Sequence, residues 1–223
     1  MGDFGSPFLL QKNIMPFPTT NATQELPAIN QILSSCGQAP VTTLDETNPD
    51  VAIAYDTLLQ VSKEVQSEGW TFNTEYHYQM VRDASNEIAI PNNILQIKLT
   101  ENSANAEFDC IRRGGKLYDR QHHTYDLSEI PGTNVECDII WEFDWVDLPQ
   151  PVQDFITGRA ATLVSQRIVG DSTQYQMLQQ QEAYARSRAL EYETQQGQFT
   201  FFGHPQGQQN YYQSYKPYQV LQR

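Results

Sequence analysis

The hydrophobic period of this chain changes twice along its length, and that pattern limits the available folds more than any other feature. From Ile29 to Val65 apolar residues recur at helical spacing, from Trp70 to Trp145 they alternate, and from Phe155 onward the helical spacing returns. Helices, then strands, then helices predict an α+β fold with segregated layers.

In the first helical stretch Thr23 is expected to cap a helix whose Ile29, Ile32, Leu33 and Cys36 share one face. Gly37 follows where a left-handed C-terminal cap belongs. A second helix is signalled by Asn48 as cap, Pro49 in the first turn and Asp50 at the positive dipole end. Val51, Tyr55, Leu58, Ser62 and Val65 recur along its face, and Gly69 ends it. Two amphipathic helices joined by a short loop predict an antiparallel pair.

Alternation begins at Trp70. Trp70, Phe72, Tyr76 and Tyr78 are expected on one side of a strand, with Thr71, Asn73, Glu75 and His77 on the other. Leu95, Ile97 and Leu99 alternate with Gln96 and Lys98. Gly114-Gly115 lies between Phe108–Arg113 and Lys116–Arg120, and two glycines permit the positive φ angles of a tight hairpin. The clearest strand runs from Val135 to Trp145. Val135, Cys137, Ile139, Trp141, Phe143 and Trp145 form its packed face; Glu136, Asp138, Ile140, Glu142 and Asp144 form a wet, acidic one.

Pro149 and Pro151 then open a third helix through Phe155, Ile156, Ala160 and Leu163, closed by Gly170. Asp171 or Ser172 caps a fourth, with Tyr175, Leu178, Ala185, Ala189 and Tyr192 spaced for one face. Glu182 and Arg186 are placed for an i, i+4 ion pair. The expected organisation is an extended arm over 1–22 and a helical bundle of two N-terminal and two C-terminal helices, from 23–69 and 149–194. An antiparallel β-rich domain over 70–148 is inserted in it, and an extended tail follows over 195–223. That tail holds nine Gln and seven aromatics, Phe199, Phe201, Phe202, Tyr211, Tyr212, Tyr215 and Tyr218. Such a segment cannot bury itself, so it stays disordered or orders on a partner.

Charge narrows the function. The chain carries −13; the tail holds +2, from Lys216 and Arg223, which leaves −15 on residues 1–194. An acidic body argues against wrapping DNA by phosphate neutralisation. No stretch approaches the roughly 20 apolar residues of a membrane span, and Met1 to Phe17 lacks the basic-then-apolar order of a signal peptide. Cys36, Cys110 and Cys137 are too far apart for a disulfide framework or a zinc site and read as small buried hydrophobes. No phosphate-binding glycine loop, nucleophile motif or cofactor fingerprint occurs. His122-His123, adjacent in sequence, cannot readily share a metal and belong to a solvated loop. No metal or cofactor is expected.

Two alternatives keep chemistry in view. Glu136, Asp138, Glu142 and Asp144 share a strand face with neighbours about 6.5 Å apart. That spacing permits glycoside hydrolysis without selecting for it, and Asp144 with Glu142 would carry an added polysaccharide-hydrolase activity. Arg112, Arg113, Lys116 and Arg120 cluster at the hairpin with Tyr118 among them, as a nucleic-acid-binding module would need. An ionic contact to an acidic neighbouring subunit accounts for the same cluster.

Several segments in register resemble a known family. They are ILSSCGQAPVTTLD from Ile32 to Asp45, NPDVAIAYDTLLQVSKEVQSEGWTFNT from Asn48 to Thr74, RGGKLYD from Arg113 to Asp119, and FDWVDLPQPVQDFITGRAATLVSQRIVG from Phe143 to Gly170. Their order and spacing, over about residues 24–194, resemble the tail tubular protein A family, the head-to-tail adaptors of short-tailed bacteriophages. The resemblance implies a non-catalytic virion protein assembled in the host cytoplasm. It implies a ring of twelve copies between the portal and the tail nozzle, with tail fibres as further neighbours and DNA passing through without specific binding. A negative lumen would repel phosphate and keep that passage free. The arm and the Gln/Tyr-rich tail depart from the family pattern, and aromatic anchoring of the tail on a neighbour is an expectation from chemistry alone.

Overall fold

A computed structural model of the chain describes residues 22–44, 48–100, 105 and 107–197. The expected arm over 1–22 and the tail aromatics from Phe199 to Tyr218 lie outside the described residues, Ala22 excepted. The described part is mixed α+β: α1 (Ala22–Ser35) and α2 (Pro49–Gln66), then five strands, then α3 (Gln150–Ile168) and α4 (Ser172–Gly197). The strands are β1 (Thr74–Val81), β2 (Ile94–Leu99), β3 (Cys110–Arg113), β4 (Lys116–Asp119) and β5 (Asn134–Trp141).

Local chemistry sets most helix ends. Gly37 has φ +75°, the N–H of Gln38 reaches the carbonyl of Leu33 and the N–H of Gly37 that of Ser34. This left-handed closure satisfies the last carbonyls of α1. The Asn48 side chain accepts from the N–H of Asp50, with Pro49 in the first turn of α2. Asp171, the first of the two expected caps, accepts the N–H of Thr173 on its carboxylate. Thr23 is not a cap, because α1 already begins at Ala22.

The helices share one core. Ile29, Ile32 and Leu33 of α1 meet Val51, Ala54, Leu58, Val61 and Val65 of α2, and both pack on Phe155, Ile156, Ala160 and Val164 of α3. Central α3 contacts each of the other three helices, which explains why Thr157, Thr162 and Ser165 are buried as well. The hydroxyls of Thr157 and Thr162 donate back to carbonyls one turn earlier, so their burial leaves no orphan donor. Arg186 and Glu182 do not pair as expected. Arg186 reaches Glu68 of the α2 end at 3.4 Å, and Glu182 reaches Arg159 of α3 at 3.5 Å. Partners on neighbouring helices prevail over the one a turn away.

The second core belongs to the strands. β5 lies between β1 and β2 in an antiparallel sheet, and β3 pairs with β4 through the Gly114-Gly115 turn, whose φ angles are +60° and +74°. Val135, Cys137 and Ile139 of β5 face Ile88, Ile90, Leu117, Leu127 and Ile130, supplied by the hairpin and loops. The alternation of β5 holds only to Trp141, where the strand ends. Trp145–Asp147 forms a short 3-10 turn instead. At the other side Trp70–Asn73 is a turn rather than strand, and β1 starts at Thr74. Trp70 therefore joins the helical core, not the sheet. β1 also carries a bulge between Glu75 and Tyr78, with His77 at φ +55°, and this breaks the expected two-sided pattern.

Candidate functional site

Two chain crossings join the helices to the sheet, α2 to β1 and β5 to α3, and two buried amides fasten them together. Asn73 is fully buried, although alternation placed it on the wet side. Its Oδ1 accepts the N–H of Trp70 at 2.8 Å, and its Nδ2 donates to the carbonyls of Gln66 and Trp141, both at 2.9 Å. The side chain of Gln66, 1% exposed, accepts from the N–H of Phe143 at 2.7 Å and donates to the Phe143 carbonyl at 3.1 Å. It thereby stands in for one rung of a β ladder. Trp70 closes the joint by donating from Nε1 to the Val65 carbonyl at 2.7 Å. Each amide satisfies backbone groups that burial would otherwise leave unmade.

Carboxylates surround this joint. Glu142 was expected on a wet face; instead its side chain is 2% exposed, and Lys63 of α2 lies 3.6 Å away. Burial pushes its pKa up, against the lowering effect of Lys63, and the nearby Asp144 adds to the rise. Glu25 of α1 is also buried, and burial raises its pKa although the Tyr55 hydroxyl donates to it. The sheet end and the bundle therefore meet over groups that resist ionisation.

The rest of the acidic face of β5 is a bonded network rather than a free surface. Asp138 accepts from the N–H of His77 at 3.1 Å and the Thr100 hydroxyl at 2.6 Å, with Lys98 at 3.7 Å. Glu136 accepts from Gln79 at 2.8 Å and lies 3.3 Å from the His77 ring. Thus Glu136 and Asp138 are tied to β1 and β2, and Glu142 faces Lys63. The expected row of four carboxylates is not on one open face.

The hairpin brings its four cations together in space but gives them separate tasks. Arg112 donates to the Ile94 carbonyl at 2.7 Å, pinning the hairpin to β2. Lys116 pairs with Glu87, and Arg120 with Asp109 at 2.5 Å. The Arg113 guanidinium lies 4.8 Å over the Tyr118 ring, which meets Tyr125 edge-on at 4.8 Å. His122 belongs to this unit too. Its Nδ1 lies 2.6 Å from the buried Asp119, and that bond raises the His122 pKa. Burial works to raise the Asp119 pKa, but bonds from His122 and from the Gln121 and Asp109 backbone outweigh it, and the net shift is downward.

Cys110 and Cys137 are buried thiols pushed up to about 12 by desolvation, and Cys36 is half-buried. Among the described residues no three His, Cys, Asp or Glu side chains are grouped to hold a metal, and no helix is long and apolar enough to cross a membrane. Sequence reasoning missed Gln66 and Asn73, and it singled out Glu142 for an open acidic face rather than for the buried joint. Polar residues adjoining an apolar face next to a predicted helix–strand junction were the only available signal for the two amides.

Comparison with known proteins bears on nearly all of the described region. The profile of the tail tubular protein family matches residues 26–199. A tail tubular protein A from Klebsiella phage KP34 is 25% identical over 164 residues, which cover 72% of this chain and 82% of that protein.

Proposed function

The chain belongs to the tail tubular protein family and is a structural protein of a bacteriophage tail, and from that premise we propose that it is a head-to-tail adaptor. In this reading copies of the chain close into a ring, twelve in number, between the portal and the tail nozzle of a short-tailed virion. The ring leaves a passage for DNA ejection, and tail fibres are further neighbours. Its work is geometric rather than catalytic. The region over 70–148 serves as a β-rich domain inserted into the helical bundle.

The observation that carries the reading is the family match over residues 26–199, which runs through both layers and the joint between them. The joint gives the match a mechanical sense. A subunit that bridges two different partners must hold its two layers at a fixed angle, and buried side-chain amides on both crossings supply that restraint. Charge supports passage without binding. The chain is −13, and Lys116 and Arg120 already face Glu87 and Asp109. Cations neutralised within the subunit release few counterions from DNA, so affinity for the duplex is low.

The tail expected over 195–223, whose first three residues belong to α4, extends the reading. Its aromatics offer anchors for pockets on a neighbouring subunit, the portal or the nozzle. Negative-stain images of the purified protein with and without portal test the adaptor role. A closed ring on the lower face of the portal is the expected result, and chains that remain single beside the portal refute it. Removing residues 198–223 is expected to weaken docking; undiminished docking assigns the tail no anchoring role.

A further inference from the structure

Among the described residues α4 is the longest helix, with 26 residues and a length of about 39 Å at 1.5 Å per residue, yet its apolar grip is slight. Ala189 is its only buried residue, and of its other apolar side chains only Ala185 packs against the helical core. Two alanines remove little apolar surface from water. The core is built mainly by the other three helices, through Ile29 and Ile32 of α1, Leu58 and Val61 of α2, and Phe155 and Ile156 of α3.

Polar latches hold the helix instead. At its start the Gln174 side-chain amide donates to the Ser35 carbonyl of α1. Midway, Glu182 lies 3.5 Å from Arg159 of α3, and Arg186 lies 3.4 Å from Glu68 and 5.5 Å over the Phe155 ring. Near its end Glu193 Oε1 accepts the N–H and the hydroxyl of Thr71, at 2.8 and 2.5 Å. Arg186 and Glu68 are both well exposed, and water replaces such an ion pair at little cost. The seam also buries two polar atoms that have no hydrogen-bond partner, Arg159 Nε and Glu193 Oε2; hydration on opening satisfies both. Residues 169–171 join α3 to α4, with Gly170 at φ +70° and Val169 exposed. Weak apolar contact, replaceable bonds and orphaned polar atoms place this seam at the low-stability end from which local opening is drawn.

We propose that α4 is a releasable strap: it lies closed on α3 in the free subunit and lifts as one unit about residues 169–171, while α1, α2 and α3 stay packed. Closed, it keeps the helix end that leads into residues 198–223 at the joint, where Glu193 holds Thr71. Lifted, it swings that end outward on an arm of about 39 Å. This use of the strap rests on the adaptor reading, in which the tail reaches a neighbour. Amide hydrogen exchange of the full chain tests the lifting. Residues 174–190 are expected to exchange together, at least about a hundredfold faster than residues 155–164 of α3. Equal protection of the two helices overturns the strap. Glu193→Ala removes the Thr71 latch and should speed exchange over all of 174–190 by a common factor of about ten, with α3 unchanged. Acceleration confined to the last turns is fraying and overturns the motion as one unit. A Cβ on Gly158 would lie 3.9 Å from that of Ala185, a separation that a disulfide spans. Gly158→Cys with Ala185→Cys, in a Cys36→Ser background, therefore staples the strap shut. The stapled chain should exchange in α4 as slowly as in α3, and should dock on the portal only after reductant is added. Docking of the stapled chain at the parent level overturns the strap's part in assembly. A parent chain that never docks removes the adaptor reading instead, and the exchange rates alone then decide whether α4 lifts.

Discussion

In the helical layer Phe155, Ile156 and Val164 are buried by other side chains along faces of regular period. In the β unit, Cys137 and Ile139 are covered by loops held in place through side-chain bonds to backbone. Arg82 donates to the Ile130 carbonyl, Arg112 to that of Ile94, Asp83 accepts the N–H groups of Ser85 and Glu87, and Asn105 donates to Thr100 and Glu136. The two layers therefore fail differently. The bundle loses stability in proportion to the volume removed from it, the β unit and the joint in proportion to the polar groups left unmade.

The sharpest way to break this contrast is to empty one site of each kind. Phe155→Ala in central α3 should cost about 3–5 kcal/mol in urea unfolding, since a large cavity opens among three helices. A cost under about 1 kcal/mol would mean that the bundle repacks freely. Asn73→Ala removes little volume but strands the Trp70 N–H and takes a donor from the Gln66 and Trp141 carbonyls, the first of which keeps the Gly69 N–H. It should cost about 2–4 kcal/mol. It should also separate the melting of helices, followed by far-ultraviolet dichroism, from that of the β unit, followed by hydrogen exchange of the β5 amides. Coincident transitions in this variant would remove the amides from the role of coupling the layers.

A smaller effect tests the joint's geometry. Gly69 has φ +78°, and a Cβ there would lie 2.8 Å from Ile140 Cδ1. Gly69→Ala should destabilise by about 1–3 kcal/mol. Adding Ile140→Val removes the clashing methyl and should recover the steric part, leaving the backbone part. No recovery would place the whole cost in φ. The smallest change concerns pH. Glu142 has its folded pKa raised, so its contribution is fully present below its unfolded value near 4.5 and is lost as pH rises through the folded one. Glu142→Gln should therefore melt slightly higher than the parent at pH 7 and equally near pH 4. A lower melting temperature at pH 7 would show that the Lys63 contact outweighs burial.

Much of the bundle was legible beforehand. The inward residues of α1 and α3, the caps at Asn48 and Asp171 and the turns at Gly37 and Gly114-Gly115 all follow from neighbours within a few positions. So did the antiparallel alternation of β5 up to Trp141. Beyond that point the same alternation misled, because Glu142 and Phe143 no longer belong to a ladder but to the crossing that Gln66 holds. The cations of the hairpin were found as a cluster, yet their partners Glu87, Asp109 and the Ile94 carbonyl come from segments that no spacing rule connects to them.

The sequence by itself determined period, helix register, caps and turn type, because each is settled by consecutive residues competing for one stretch of backbone. Only the tertiary structure decided which polar groups enter the interior. Asn73 meets Trp141 across 68 positions and Gln66 meets Phe143 across 77. A buried amide is tolerated only where distant backbone groups arrive to satisfy it, and where they arrive depends on how the two layers pack.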